Sequence, residues 1–124
     1  MYISKNFTTK EMGINYNSDP YHTISICQLV YNVLQPLRDL LDEPITITSG
    51  LRTKEDNERV GGVKNSQHLY GEAADFTCKS ISKAFETLVN GYITFDQLIY
   101  YRGRKFIHIS YSDMYNRKQI IIKP

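Results

Sequence analysis

The sequence predicts an α+β domain with helices packed on one face of a mainly antiparallel sheet. Three observations predict it. Apolar residues recur at helical spacing through residues 23–42 and again through 80–90. Short runs of branched and aromatic residues occur at 45–48, 72–77, 96–101, 106–111 and 119–122. The helical segments lie before and between strands that read as largely antiparallel, so helices and sheet form two layers around one core.

Taken in order, Thr8 or Thr9 followed by Glu11 resembles an N-cap with its capping-box partner, which predicts a short helix near 8–12. Residues 13–22, rich in Gly, Asn, Ser, Asp and Pro, read as loop, with His22 a plain surface histidine. Ile26, Leu29, Val30, Val33, Leu34, Leu37, Leu40 and Leu41 define an amphipathic helix over 23–42. Pro36 lacks a backbone donor and should kink or divide it, and Pro44 helps to end it. Ile45-Thr46-Ile47-Thr48 reads as a strand ended by Gly50. Thr53 can cap a short helix near 54–60, with Glu55 and Asp56 complementing its dipole and Gly61-Gly62 stopping it. After the strand at 72–77, Ile81, Ala84, Phe85, Leu88 and Val89 face inward from a helix closed by Gly91. Arg102-Gly103-Arg104 joins the strands at 96–101 and 106–111 as a hairpin turn.

With 124 residues the chain is expected to be one domain, and 41% hydrophobic against 23% charged residues suits a folded protein. A net charge of +2 with scattered basic residues argues against nucleic acid as a partner, and Arg102, Arg104 and Lys105 read as a solvated turn. Cys27 and Cys78 are expected to be unpaired, partly buried thiols. No run reaches the length of a membrane span, and residues 1–7 lack a signal-peptide pattern. The expectation is a monomer made in the cytoplasm, carried outward by a separate factor if its substrate lies beyond the membrane.

Three residues point to chemistry. Alternation sends Phe106, His108 and Ser110 to one sheet face, and Ala73, Asp75 and Thr77 to one face of the earlier strand. If the strands are neighbours, Asp75 and His108 project side by side. His68 lies just ahead of the strand and can fold back through Gly71, with Ala73 and Ala74 leaving room. A carboxylate in an apolar strand is costly to bury without a partner. Two imidazoles and one carboxylate suit zinc, which such a set leaves with a fourth position for a water of pKa about 7.

The series Thr48-Ser49-Gly50-Leu51-Arg52, Gly61-Gly62, Ser66-Gln67-His68, Gly71, Ala73, Asp75, Phe95-Asp96-Gln97-Leu98-Ile99 and Ile107-His108-Ile109-Ser110 resembles the zinc D-alanyl-D-alanine carboxypeptidase and peptidoglycan peptidase family. Its short phage- and prophage-type branch is similar also at Lys5-Asn6-Phe7-Thr8 and Gln35-Pro36-Leu37-Arg38. Hedgehog domains and vancomycin-resistance dipeptidases share the wider fold. The resemblance implies zinc on His68, Asp75 and His108, with Arg52 facing the site to hold a substrate carboxylate or an oxyanion. It implies Ser66 and Gln67 as groups that bind the peptide, and peptidoglycan peptides as the substrate. One departure stands out. The family's general-base glutamate falls at Tyr101, and the histidine that some relatives carry two residues before the last ligand falls at Phe106. Tyr101 is a poor base at neutral pH but can donate a hydrogen bond to an oxyanion. Asp96 and Glu72, the remaining nearby carboxylates, are placed on the wrong faces by alternation. The same departure motivates an alternative: a weak or inactive relative that holds zinc and binds a peptide or protein partner.

Overall fold

The computed structural model describes residues 1–124. The chain opens with a two-stranded antiparallel pair, β1 (Tyr2–Ser4) and β2 (Phe7–Thr8). Its strands are too short to announce themselves by alternation. Residues 9–13 then form turns rather than the predicted helix. The capping box is present, since Glu11 Oε1 accepts from Thr8 N (2.6 Å) and Thr8 Oγ1 accepts from Glu11 N (3.3 Å). Gly13 adopts the left-handed conformation (φ 80°) and ends the turn before a helix can propagate.

Asp19 caps α1 (Pro20–Leu29) by accepting from Tyr21 N (2.8 Å), with proline in the first turn where its missing donor costs nothing. The helix therefore begins inside the stretch read as loop. It continues through a π-helical segment, Val30–Leu34, into α2 (Gln35–Leu41). Pro36 explains that segment. With no N–H and a ring that crowds the preceding turn, it is accommodated by a wider turn in which Gln35 N donates to Val30 O. Proline here widens the helix without breaking it. No helix is long and apolar enough to cross a membrane.

β3 (Thr46–Ser49), α3 (Lys54–Arg59), β4 (Ala73–Thr77), α4 (Ile81–Asn90), β5 (Gln97–Tyr101), β6 (Phe106–Ser110) and β7 (Gln119–Lys123) follow. One five-stranded sheet has the order β3-β4-β6-β5-β7. Every pair is antiparallel except β5–β7, which is parallel. Asp96 explains that exception. Its carboxylate accepts from Arg117, and its carbonyl accepts from Gln119 N, so the chain after β6 is drawn back to the end where β5 begins.

Alternation divides the sheet cleanly. Ala74, Phe76, Leu98, Tyr100, Ile107 and Ile109 face a core shared with Ile26, Leu29, Val33 and Leu37 of the long helix and Ala84 and Leu88 of α4. Fully burying each large apolar side chain is worth about 1.5–3 kcal/mol, which makes this layer the foundation of the fold. The opposite face carries Asp75 and His108, held on strands whose backs are locked into that core. The α+β reading of the sequence and its helices on one sheet face are what the structure shows.

Candidate metal centre

Asp75 and His108 are direct cross-strand partners in β4 and β6, so the pairing alone sets them side by side. His68 arrives from a 3₁₀ turn, Gln67–Tyr70, between α3 and β4. Two features aim it. Ser66 Oγ caps the turn by accepting from His68 N (3.2 Å). Gly71 closes it at φ 75°, where an added Cβ would collide with the His22 carbonyl, so the chain can double back only through glycine. The outcome is that His68 is buried while Asp75 and His108 keep an open side.

One carboxylate oxygen gathers both imidazoles. Asp75 Oδ1 lies 2.9 Å from His108 Nδ1 and 3.2 Å from His68 Nε2. All three ligand atoms fall within 4.8 Å of one another. Ligands about 2.0–2.1 Å from a tetrahedral zinc stand roughly 3.3 Å apart, and the two distances from Asp75 Oδ1 are close to that separation. The tautomer adds a second argument. His68 Nδ1 is 2.9 Å from the Gly50 carbonyl, an acceptor only, so that nitrogen carries the proton. In neutral His68, Nε2 then points a lone pair at the lone pairs of Asp75, an arrangement a cation resolves. The residues present fit zinc.

Arg52 completes the centre from the other side of the carboxylate. Its Nη2 donates to Asp75 Oδ2 (3.3 Å), its Nε to Ser49 Oγ (3.0 Å) and its Nη1 to Asn57 Oδ1 (3.3 Å). Its backbone N donates to the His68 carbonyl (2.9 Å), tying the two segments together. Burial pushes the Asp75 carboxyl up, but when the two imidazoles are protonated the hydrogen bonds and charge of His108 and His68 outweigh it and hold Asp75 well below the usual carboxylate range.

A β-bulge is part of this construction. The β3–β4 register slips between Ile47 and Ser49, so Ser49 pairs with Asp75 and shares its face. Strict alternation would send Ser49 to the core side with Ile47. In the sequence Ser49 figures only within the Thr48–Arg52 run, with no role of its own, and Asn57 does not figure at all. Asn57, nearly fully buried in α3 with Nδ2 donating to Val63 O (2.8 Å), was marked only by being a poor helix former inside a helix.

The structure therefore brings together Arg52, His68, Asp75 and His108. Ser66 and Gln67 flank His68 with their polar groups turned to the protein, and Gln67 Nε2 donates to Asp96 Oδ2 (3.0 Å). Tyr101 lies on the metal-bearing face one pleat away from His108, its ring stacked on Phe106 at 4.3 Å and 9°.

A model of the peptidase M15 family matches residues 3–110. The chain belongs to that family. A zinc D-Ala-D-Ala carboxypeptidase from Streptomyces albus G is 49% identical over 43 residues, which is 34% of this M15 chain and 17% of that protein. The histidine–aspartate–histidine set described above is the feature of this M15 member that answers to the word zinc in that relative's name.

Asp96 joins the turn that carries His68 to the segment before β7, through Gln67 on one side and Arg117 on the other. It is 5% exposed and accepts from Arg117 N (2.9 Å), Arg117 Nε (3.0 Å) and Nη2 (3.0 Å), as well as from Gln67. Burial raises its carboxyl, while the Arg117 and Gln67 hydrogen bonds lower it further, so the folded value lies below the unfolded one. A depressed carboxylate contributes stability that is complete above its unfolded pKa of about 3.9 and disappears as pH falls through the folded value. Thermal melts of Asp96→Asn should therefore differ most from the parent at pH 6–7 and converge with it below about pH 4. Parallel curves across that range would show that the carboxylate's charge is not what matters.

Proposed function

We propose that the protein is a zinc-dependent peptidase that hydrolyses amide bonds in bacterial cell-wall peptides, of D-alanyl-D-alanine carboxypeptidase or endopeptidase type. The observation that carries this reading is the His68–Asp75–His108 cluster on an open sheet face, with an arginine behind the carboxylate. Its support from relatives is the family membership and the short match to a zinc D-Ala-D-Ala carboxypeptidase.

Bound to these ligands, zinc supplies Lewis acidity toward the scissile carbonyl and lowers the pKa of water to about 7. The chain's own residues do the rest. Asp75 stays ionised because two imidazoles and a guanidinium surround it. Arg52, fixed at three nitrogens, holds Asp75 in place and offers its remaining N–H groups to a carbonyl or carboxylate of the substrate. Ser66 and Gln67 serve the substrate chiefly by holding the His68 turn in shape. Tyr101 contributes a hydroxyl that can donate to developing negative charge but does not readily take a proton.

A second reading is favoured by one observation. Beside His108 on the metal-bearing face lie Ile99 and the stacked pair Tyr101 and Phe106, none of which offers a carboxylate or an imidazole. On that reading the protein holds zinc and a peptide with slow or no turnover. Zinc-loaded protein incubated with purified muropeptides and followed by mass spectrometry separates the two. Peptidase action shows as shortened peptides or new amines, abolished by chelator and restored by zinc. Muropeptides left intact by protein that demonstrably contains zinc would favour the binding role.

A further inference from the structure

The turn between β5 and β6, which reads in the sequence as merely solvated, forms a wall of the metal-bearing face. A groove of about 380 Å³ lies beside Asp75, lined also by Arg104, Lys105 and Phe106 and by the hydroxyl-bearing residues Thr48, Ser49 and Thr77. We propose that this groove is a carboxylate-recognition subsite, in which Arg104 and Lys105 select peptides carrying a free side-chain carboxylate on a residue that precedes the scissile amide. The carboxylate preference stands on the groove itself; that the selected peptide is then cut rests on the peptidase reading above.

The argument is one of which polar groups are already spoken for. Thr48 Oγ1 donates to the Asp75 carbonyl (3.2 Å), Ser49 Oγ accepts from Arg52, and Thr77 Oγ1 donates to the Lys105 carbonyl (2.9 Å). The neutral groups of the groove thus serve the protein. Its two cations do not, because neither Arg104 nor Lys105 pairs with any carboxylate. Asp75 is the sole acid lining the groove, and Arg52 and two imidazoles already answer its charge. A ligand entering there meets uncompensated positive charge beside the Phe106 ring.

The Arg104 guanidinium is also positioned, and the backbone at Lys105 is fixed. The Arg104 guanidinium lies over the Phe106 ring (5.2 Å to its centroid), and Phe106 in turn is stacked on Tyr101, whose ring has Lys123 Nζ at 5.4 Å. Packing on a ring leaves the guanidinium edges free for a planar, two-pronged partner. Lys105 occupies the left-handed region (φ 57°), and the Thr77 bond to its carbonyl pins that conformation. Glycine would sit there without strain, so a long cationic side chain at this corner is informative. A carboxylate is the anion that peptides supply, and its geometry matches a guanidinium edge.

Two fluorescently labelled peptides decide the matter, both ending in D-Ala-D-Ala and differing only in whether one preceding side-chain carboxylate is free or converted to a carboxamide. Binding to the zinc-loaded protein is measured by anisotropy at low salt and in about 0.5 M salt. The free acid should bind roughly 5–10-fold tighter, with the preference shrinking at high salt because exposed charges are screened. Arg104→Glu/Lys105→Glu should abolish or invert the preference while zinc content stays at the parental level. Arg104→Gln/Lys105→Gln, a milder change to the turn, should abolish it without inversion. Equal binding of the two peptides by the parent, or a preference that survives both double variants, overturns the proposal. Cleavage is scored separately. If neither peptide is cut, hydrolysis fails as a description while the affinity ratio still decides what the groove reads.

Discussion

Replacing His68 with alanine is expected to lower zinc affinity on the order of 10³-fold, beyond the roughly 10–100-fold that loss of an outer-shell partner costs. The expectation follows from how the ligand set is built. Asp75 and His108 face each other across β4 and β6 whatever the loop does, but His68 alone arrives from outside the sheet. Two ligands on one side of an ion do not enclose it. Removing this side chain also strips the Gly50 carbonyl of its partner, a loss of about 1–3 kcal/mol for a buried polar group. Two measurements should therefore move together. Elemental analysis should fall from one zinc per chain toward none. Added zinc should raise the melting temperature of the parent, by the stabilisation of about 4 kcal/mol expected when free metal is 1,000 times its dissociation constant, and leave the variant unmoved. His22→Ala is the control, since the third histidine packs edge-on against Tyr70 and takes no part in the cluster. Retention of zinc by the His68 variant, or its loss from the His22 variant, would mean that the metal sits elsewhere.

What could be read from the residues, and what could not, divides along a physical line. Period-two alternation is a local property, so it correctly assigned Asp75 and His108 to faces, and the pairing of their strands did the rest. The inward positions of Ile81, Ala84 and Leu88 followed the same logic at helical spacing. Features that depend on register escaped. The bulge that brings Ser49 round to Asp75 breaks the alternation on which the reading relied, and nothing in Thr-Ile-Thr-Ser announces it. The parallel placement of β7 depends on Asp96 gripping Arg117 across 21 positions, a contact between residues that individually look like surface charges. Pro36 was seen as an interruption, but whether a helix breaks or widens there is settled by tertiary packing. Buried Val30, Val33, Leu34 and Leu37 hold the segment against the core through the π turn. Arg104 and Lys105 carried no periodic signal at all, because a turn's direction over the sheet is set by the hairpin it closes.

Tyr101→Glu is expected to raise the hydrolytic rate by roughly 10²–10⁴-fold, the contribution of a well-placed general base. Cross-strand register makes the case. Ile99 pairs with His108 and Tyr101 pairs with Phe106, so residue 101 is the diagonal neighbour of His108 on the metal face. Diagonal neighbours lie about 7–8 Å apart, and a glutamate side chain covers enough of that distance to bring its carboxylate beside the His68–Asp75–His108 cluster. The tyrosine now there presents a hydroxyl, a hydrogen-bond donor where a carboxylate acceptor would be needed. The substitution has a cost. It removes the Tyr101–Phe106 stack, worth about 0.5–1.5 kcal/mol, although Lys123, over the face of the same ring, offers the new carboxylate a partner. Tyr101→Gln separates the two effects, because it loses the stack equally and gains no base. The glutamate variant alone should acquire an acid limb, its rate falling as pH drops through the carboxylate range, while the parent and the glutamine variant lack it. Glutamate and glutamine variants of equal rate would show that position 101 does not reach the reacting water, and that proton transfer in this protein, if it occurs, is carried from another direction.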